Sequence, residues 1–140
     1  MSEKILKIEE FDNLGIQKEN KYHPGYFSED FYEGYIITTE KQVIQVLIDN
    51  GAYCCEQFGS VCSNDNFEDF IGAELNSVYV SDVNLMNHEV LNDLYEGDAI
   101  FVNLETSQGK LQFAVYNCHN GYYGHQVLVQ INNKVQEYSV

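Results

Sequence analysis

The chain has 140 residues, 44% of them hydrophobic, which suits one folded domain with its own core and argues against a disordered protein. Seven lysines and no arginine stand against 22 acids, giving a formal net charge of −15. Without clustered cations the chain is a poor ligand for free nucleic acid or an anionic membrane surface, and its natural partner is a basic protein surface reached down a long-range field, the bland alternative being that acidity only keeps the protein in solution.

Residues 1–33 are the least regular stretch and are expected to pack on the rest as an irregular N-terminal segment. Met1-Ser2-Glu3-Lys4 is not followed by an apolar h-region, so no signal peptide is expected, and no run of 18 apolar residues predicts a transmembrane helix. Ile5, Leu6, Ile8, Phe11 and Leu14 fit either a short amphipathic helix or an edge strand. Pro24-Gly25 marks a turn, and the aromatics crowded between Tyr22 and Tyr35 are expected to pack over a sheet, an exposed binding surface being the alternative.

Strands are predicted from Gly34 to Thr39 and from Gln42 to Ile48. Asp49-Asn50-Gly51 then turns the chain into a third short strand, Tyr53 to Glu56. Gln57 to Asn66 reads as loop. Asp65 or Asn66 can cap a short helix from Phe67 to Ile71, with Phe67, Phe70 and Ile71 on one face and Gly72 ending it. Leu75 to Val83 and Asp98 to Thr106 read as strands, separated by an acidic excursion or helical turn over Asn84 to Gly97.

Ser107-Gln108-Gly109 turns the chain back. Leu111, Phe113 and Val115 then alternate with polar or small residues, as do Val127, Val129 and Ile131, with Asn120-Gly121 between them. The pattern predicts a hairpin with Val115 opposite Val129, Asn117 opposite Val127, and His119 facing His125 across a five-residue loop. Asn132 to Val140 extends the last strand or frays. The whole is expected to be one α+β domain, mainly antiparallel β-sheet built from hairpins, with one or two short helices.

Zinc takes cysteine sulfur and histidine nitrogen in a tetrahedral set of four. Cys54 and Cys55, with Cys62 nearby, form one group of such residues; Cys118, His119 and His125 form another. If the two come together, Cys54, Cys55, Cys118, His119 and His125 are the candidate ligands of a structural zinc. The bland alternative is that the cysteines are small core hydrophobes. Neighbours in a regular strand point to opposite faces, so using both Cys54 and Cys55, or both Cys118 and His119, requires a bulge or turn. His23 and His88 lie in loops and are expected to be solvated.

No zinc-finger spacing, phosphate-cradling loop or deaminase pattern is present, and Glu56 beside Cys55 does not supply one. Nothing in the spacing favours a Cys118/His125 or Cys55/His119 nucleophile pair. No catalytic residue is assigned; a small metal- or thiol-dependent enzyme is the alternative reading.

Cys54-Cys55-Glu56, then Asn66-Phe67-Glu68-Asp69-Phe70-Ile71-Gly72, then His119-Asn120-Gly121-Tyr122-Tyr123-Gly124-His125 together resemble a family of small uncharacterised proteins of phages and Gram-positive bacteria. In that family a Cys-Cys-Glu segment, an acidic turn of helix and a terminal Asn-Gly-Tyr-Tyr hairpin recur. The similarity spans roughly residues 35–130 and implies a phage-like origin without a reaction. A small acidic protein of that origin with a zinc site has the character of an anti-CRISPR inhibitor of Cas9, working in the host bacterial cytoplasm. Cas9 holds its heteroduplex in a basic channel and reads its adjacent motif with arginines. An acidic surface is expected to occupy that region and block loading of target DNA. The expected contact set is Asp65, Glu68, Asp69, Glu74, Asp82, Glu89, Asp93, Glu96 and Asp98. The other alternative is a phage accessory module with no defence role.

Overall fold

The computed structural model describes residues 2–51, 58–82, 98–118 and 125–140, with Asp98 as backbone only. Nine strands run through them: β1 (Glu3–Glu19), β2 (Phe27–Thr39), β3 (Val43–Asp49), β4 (Phe58–Cys62), β5 (Glu74–Ser81), β6 (Asp98–Thr106), β7 (Gly109–Asn117), β8 (Gln126–Ile131) and β9 (Lys134–Ser139). Every pairing is antiparallel, in the order β4-β7-β6-β5-β1-β2-β3-β8-β9.

The α+β expectation is overturned: among the described residues the single helical element is a 3-10 turn, Phe67–Phe70. Of the expected apolar face Phe67, Phe70 and Ile71, Phe70 is buried but Ile71 is exposed. Asn66 provides no side-chain cap, and Ile71 is already extended. Four residues without a cap cannot meet the cost of nucleating an α-helix. No helix among the described residues is long and apolar enough to cross a membrane.

β1 meets β5 only at Glu3 and Lys4, so the sheet works as two halves, β4-β7-β6-β5 and β1-β2-β3-β8-β9. Their inner faces share one core, with Ile8, Ile37, Ile44, Val46 and Val129 from one half and Leu75, Val102, Leu104, Phe113 and Val115 from the other. The contacts of β4 span the opposite half. Along β4, Phe58 stacks on His125 beside β8, the Ser60 hydroxyl bonds Glu33 of β2, and Cys62 shares a groove with Glu10 of β1. One short strand thus traverses several strands of the opposite half, as in orthogonal sheet packing.

Residues 3–19 and 27–33, in the segment expected to be least regular, are strand; of the two readings of Ile5 to Leu14 the strand holds, and β1 is the longest strand among the described residues. Gln57 to Asn66, read as loop, contains β4. The predicted hairpin between Leu111 and Ile131 does not form. β7 is flanked by β6 and β4, and β8 by β3 and β9, so Val115 pairs with Ile100 and Ser60 while Val129 pairs with Val46 and Gln136. The alternation correctly placed Phe113, Val115, Val127 and Val129 in the core. It carries no information on which strand lies alongside, and succession in sequence was the wrong guide. The C-terminal stretch forms β9, returned by Asn132 and Asn133, both at positive φ (55° and 62°), as a tight hairpin demands.

β1 bends where Asp12 and Asn13 bulge between the pairs Phe11–Gly34 and Leu14–Tyr32. Asn50 fastens the bulge, its side-chain amide donating to the Asp12 carbonyl at 3.0 Å and to Asn13 Oδ1 at 2.8 Å. Gly34, opposite Phe11, has φ 144°, and a Cβ there would lie 2.0 Å from the Val46 carbonyl oxygen, so only glycine fits. β3 ends opposite Tyr32, and beyond it β1 and β2 continue as a two-stranded ribbon. The aromatics of this region therefore divide. Tyr32 and Tyr35 are buried, as packing over a sheet requires, whereas Tyr22, Tyr26, Phe27 and Phe31 are exposed on the ribbon, as the alternative of a presented surface has it.

Candidate functional site

Two neighbouring features carry the chemistry: a buried histidine beside the end of β3 and the start of β4, and an acidic groove between β4 and the β1–β2 pair.

His125 precedes β8 and is buried, its ring stacked 4.3 Å from that of Phe58. Its Nδ1 lies 2.7 Å from the Asp49 carbonyl oxygen. A carbonyl can only accept, so Nδ1 carries the proton and, in the neutral ring, Nε2 carries the lone pair. Asp49 ends β3 and Phe58 begins β4, so the flanks of residues 52–57 meet the residue that follows 119–124.

Of the proposed zinc ligands, Cys54, Cys55 and His119 lie outside the described residues. Cys118 packs with Phe101, Ala114 and Tyr116 in a separate outward cluster, whereas His125 stacks on Phe58 against the main core. The fold therefore sends these two side chains into different clusters. Among the described residues no three His, Cys, Asp or Glu side chains gather as a metal site. Burial raises the Cys118 thiol above its usual range. The Cys62 thiol is pushed up to about 11, first by burial and then by the charges of Glu10 and Asp65. Both stay protonated at neutral pH, which makes them poor nucleophiles.

The described members of the expected contact set are spread along the chain. Asp65, Glu68 and Asp69 are exposed on the connection after β4, whereas Glu74 opens β5 and exposed Asp82 follows its end. At a rise of roughly 3.3 Å per residue, Glu74 and Asp82 are about 25 Å apart. Asp98 opens β6; its side chain, like Glu89, Asp93 and Glu96, lies outside the described residues.

Other acids converge instead. Glu10, Tyr35, Ser60, Val61, Cys62, Asn64, Asp65 and Phe67 line a groove of about 300 Å³. Glu33 stands beside it, bonded by the Ser60 hydroxyl at 3.4 Å. Burial raises the Glu33 carboxyl above the usual carboxylate range, opposed by the Ser60 hydrogen bond and reinforced by the charges of Asp12 and Glu10. Burial, and after it the charge of nearby Glu10, holds the Tyr35 hydroxyl neutral. Each ion pair formed among the described residues, Lys7–Glu9, Lys18–Asp30 and Lys110–Glu105, leaves Glu10, Asp12, Glu33 and Asp65 out. Carboxylates beside the rings of Tyr35 and Phe67, which meet edge to face at 5.9 Å, suit a lysine or arginine side chain.

Sequence reasoning found only Asp65 of this group. The others required recognising β1 and β2 as adjacent strands; Glu10, Asp12 and Glu33 become neighbours only through the register of that pair.

Residues 2–129 match the family model described as a domain of unknown function, DUF7448. The chain belongs to that family. The match takes in β1 and β2 as well as the later strands, so both sides of the groove are part of the DUF7448 domain. No curated protein and no solved structure matches the chain.

Proposed function

We propose that this DUF7448 protein is a non-catalytic inhibitor that binds the basic surface of a nucleic-acid-handling protein. Cas9 is the target to which the phage-like resemblance points, and the host bacterial cytoplasm is the place of action. The observation that carries the reading is the convergence of Glu10, Asp12, Glu33 and Asp65 around one aromatic-lined groove in a chain of net charge −15. Such a surface competes with the phosphate backbone for the cations of the target and reaches them by electrostatic steering.

The test is cleavage of a matched target by Cas9, with the protein added before or after the DNA. Inhibition only on prior addition is expected, and reversal of Glu10 and Asp12 to lysine should relieve it while reversal of Glu68 and Asp69 should not. Raising the salt should weaken inhibition steeply. No inhibition of several type II Cas9 enzymes removes that target; inhibition independent of order removes competition for DNA loading.

A structural zinc belongs to the same proposal, with His125 as one ligand and Cys54, Cys55 and His119 as candidates for the rest. The support is the Nδ1 hydrogen bond to Asp49, which presents Nε2 as the donor nitrogen in the arrangement that outer-shell partners impose on zinc ligands. Protein purified without a metal-affinity tag should carry about one zinc per chain and melt at lower temperature after chelation. Metal-free protein with an unchanged melt defeats this part.

A further inference from the structure

Among the described residues, one edge of β1 has no strand paired to it for most of its length, the 3-10 turn Phe67–Phe70 lying beside its first part. Beyond the short contact with β5 at Glu3 and Lys4, no strand among the described residues adjoins that edge from Leu6 to Glu19. The residues that address it follow from the register. Thr39 donates its N–H to Gln42, away from β1, and its partner Ile5 sends its own N–H the other way, to the Ala73 carbonyl. Pair geometry alternates, so Ile8 opposite Ile37 and Glu10 opposite Tyr35 likewise turn their N–H and C=O groups to the open edge.

The side chains say what would pair there. Ile8 is in the core, and Glu10 lines the acidic groove with Asp12 and Asp65 close by. A strand laid against this edge projects every second side chain toward that groove. An exposed edge also invites a second copy of the chain, but two molecules each of charge −15 repel, and Glu9, Glu10 and Asp12 would meet their own kind. Charge complementarity selects a cationic strand.

We infer that the open edge of β1 captures an extended segment of a basic partner by strand addition, with lysine or arginine at alternate positions entering the groove at Glu10, Asp12 and Asp65. Main-chain hydrogen bonds to Ile8 and Glu10 hold the segment, and the carboxylates select its side chains. This rests on the basic-partner reading above and adds to it the place and the geometry of contact.

The probe is a labelled peptide of about eight residues in which lysine alternates with valine, titrated with the intact protein and read by fluorescence anisotropy. Its counterpart has the same sequence with the backbone nitrogens N-methylated at alternate residues, in both phases, which keeps the charge and removes the pairing. Strand addition predicts that N-methylation in the phase facing β1 weakens binding about ten-fold or more. It also predicts that Glu10→Gln weakens the unmodified peptide, with folding checked by circular dichroism. Equal binding of all the peptides overturns strand addition while leaving an acidic docking surface intact. Binding of none overturns strand addition, and the Cas9 assay then decides separately whether the inhibitor reading survives.

Discussion

β7 and β1 are both antiparallel strands, yet they stand at opposite extremes of the fold. β7 has a strand on each edge and cover on each face, and Leu111 through Asn117 are buried without a break. Its inner face gives Leu111, Phe113 and Val115 to the main core. Its outer face is closed by Phe101, Val61 and Ala99 over Ala114 and Tyr116, and by the Gln112 amide donating to Asn103 at 2.8 Å. β1 has one paired edge for most of its length, and its burial fades toward Glu19. The difference separates two tasks. A strand closed on all sides contributes stability and offers nothing to a partner, whereas an open edge keeps its backbone groups available for one.

The sharpest way to break this comparison is to truncate one apolar residue in each strand. Phe113 is fully buried and lies 4.8 Å from the Tyr35 ring, so Phe113→Ala should cost about 3–5 kcal/mol in urea unfolding, through lost transfer energy and the cavity left behind. Leu6 on β1 is 54% exposed, and Leu6→Ala should fall within roughly 0.5 kcal/mol of the unaltered protein. Comparable losses at the two positions would mean that β1 is as much part of the stabilising framework as β7.

The same contrast governs what could be read from the sequence. The sequence marks β6 from Asp98 to Thr106, the bounds the structure has, because its apolar residues meet a confined environment that demands them. β1 was obscured because half of its surroundings is water. Glu9, Glu10, Asp12 and Gly15 are tolerated where no neighbouring strand excludes them, and they break the alternation that would have marked a strand. The ribbon aromatics misled in the other direction, since Tyr22 and Phe27 look like core material and are exposed. The turn at Asn132-Asn133 was legible in principle, because asparagine is among the few residues at ease at positive φ. The partners of β8 were not. That strand is joined in sequence to β7 but lies beside β3, a long-range choice made by the core as a whole. The acidic groove shares this origin, being assembled from β1, β2, β4 and the connection after β4.

A smaller effect sharpens the comparison by asking what the groove costs while empty. Glu33 has its carboxyl raised by burial, with Asp12 and Glu10 adding to the shift. A folded value above the unfolded one means that the folded state binds the proton more tightly. The stability this site contributes is therefore complete below the ordinary carboxylate range and is lost as pH rises through the raised folded value. The urea midpoint of the unaltered protein, relative to that of Glu33→Gln, should fall across this interval and level off above it. A constant difference between the two would show that Glu33 ionises as freely folded as unfolded. A cation in the groove reverses the sign, because it favours the carboxylate. Affinity for a basic peptide should therefore rise over the same pH interval in which the free protein loses stability, so that like charges held together at some cost to the fold become the means of attracting a partner.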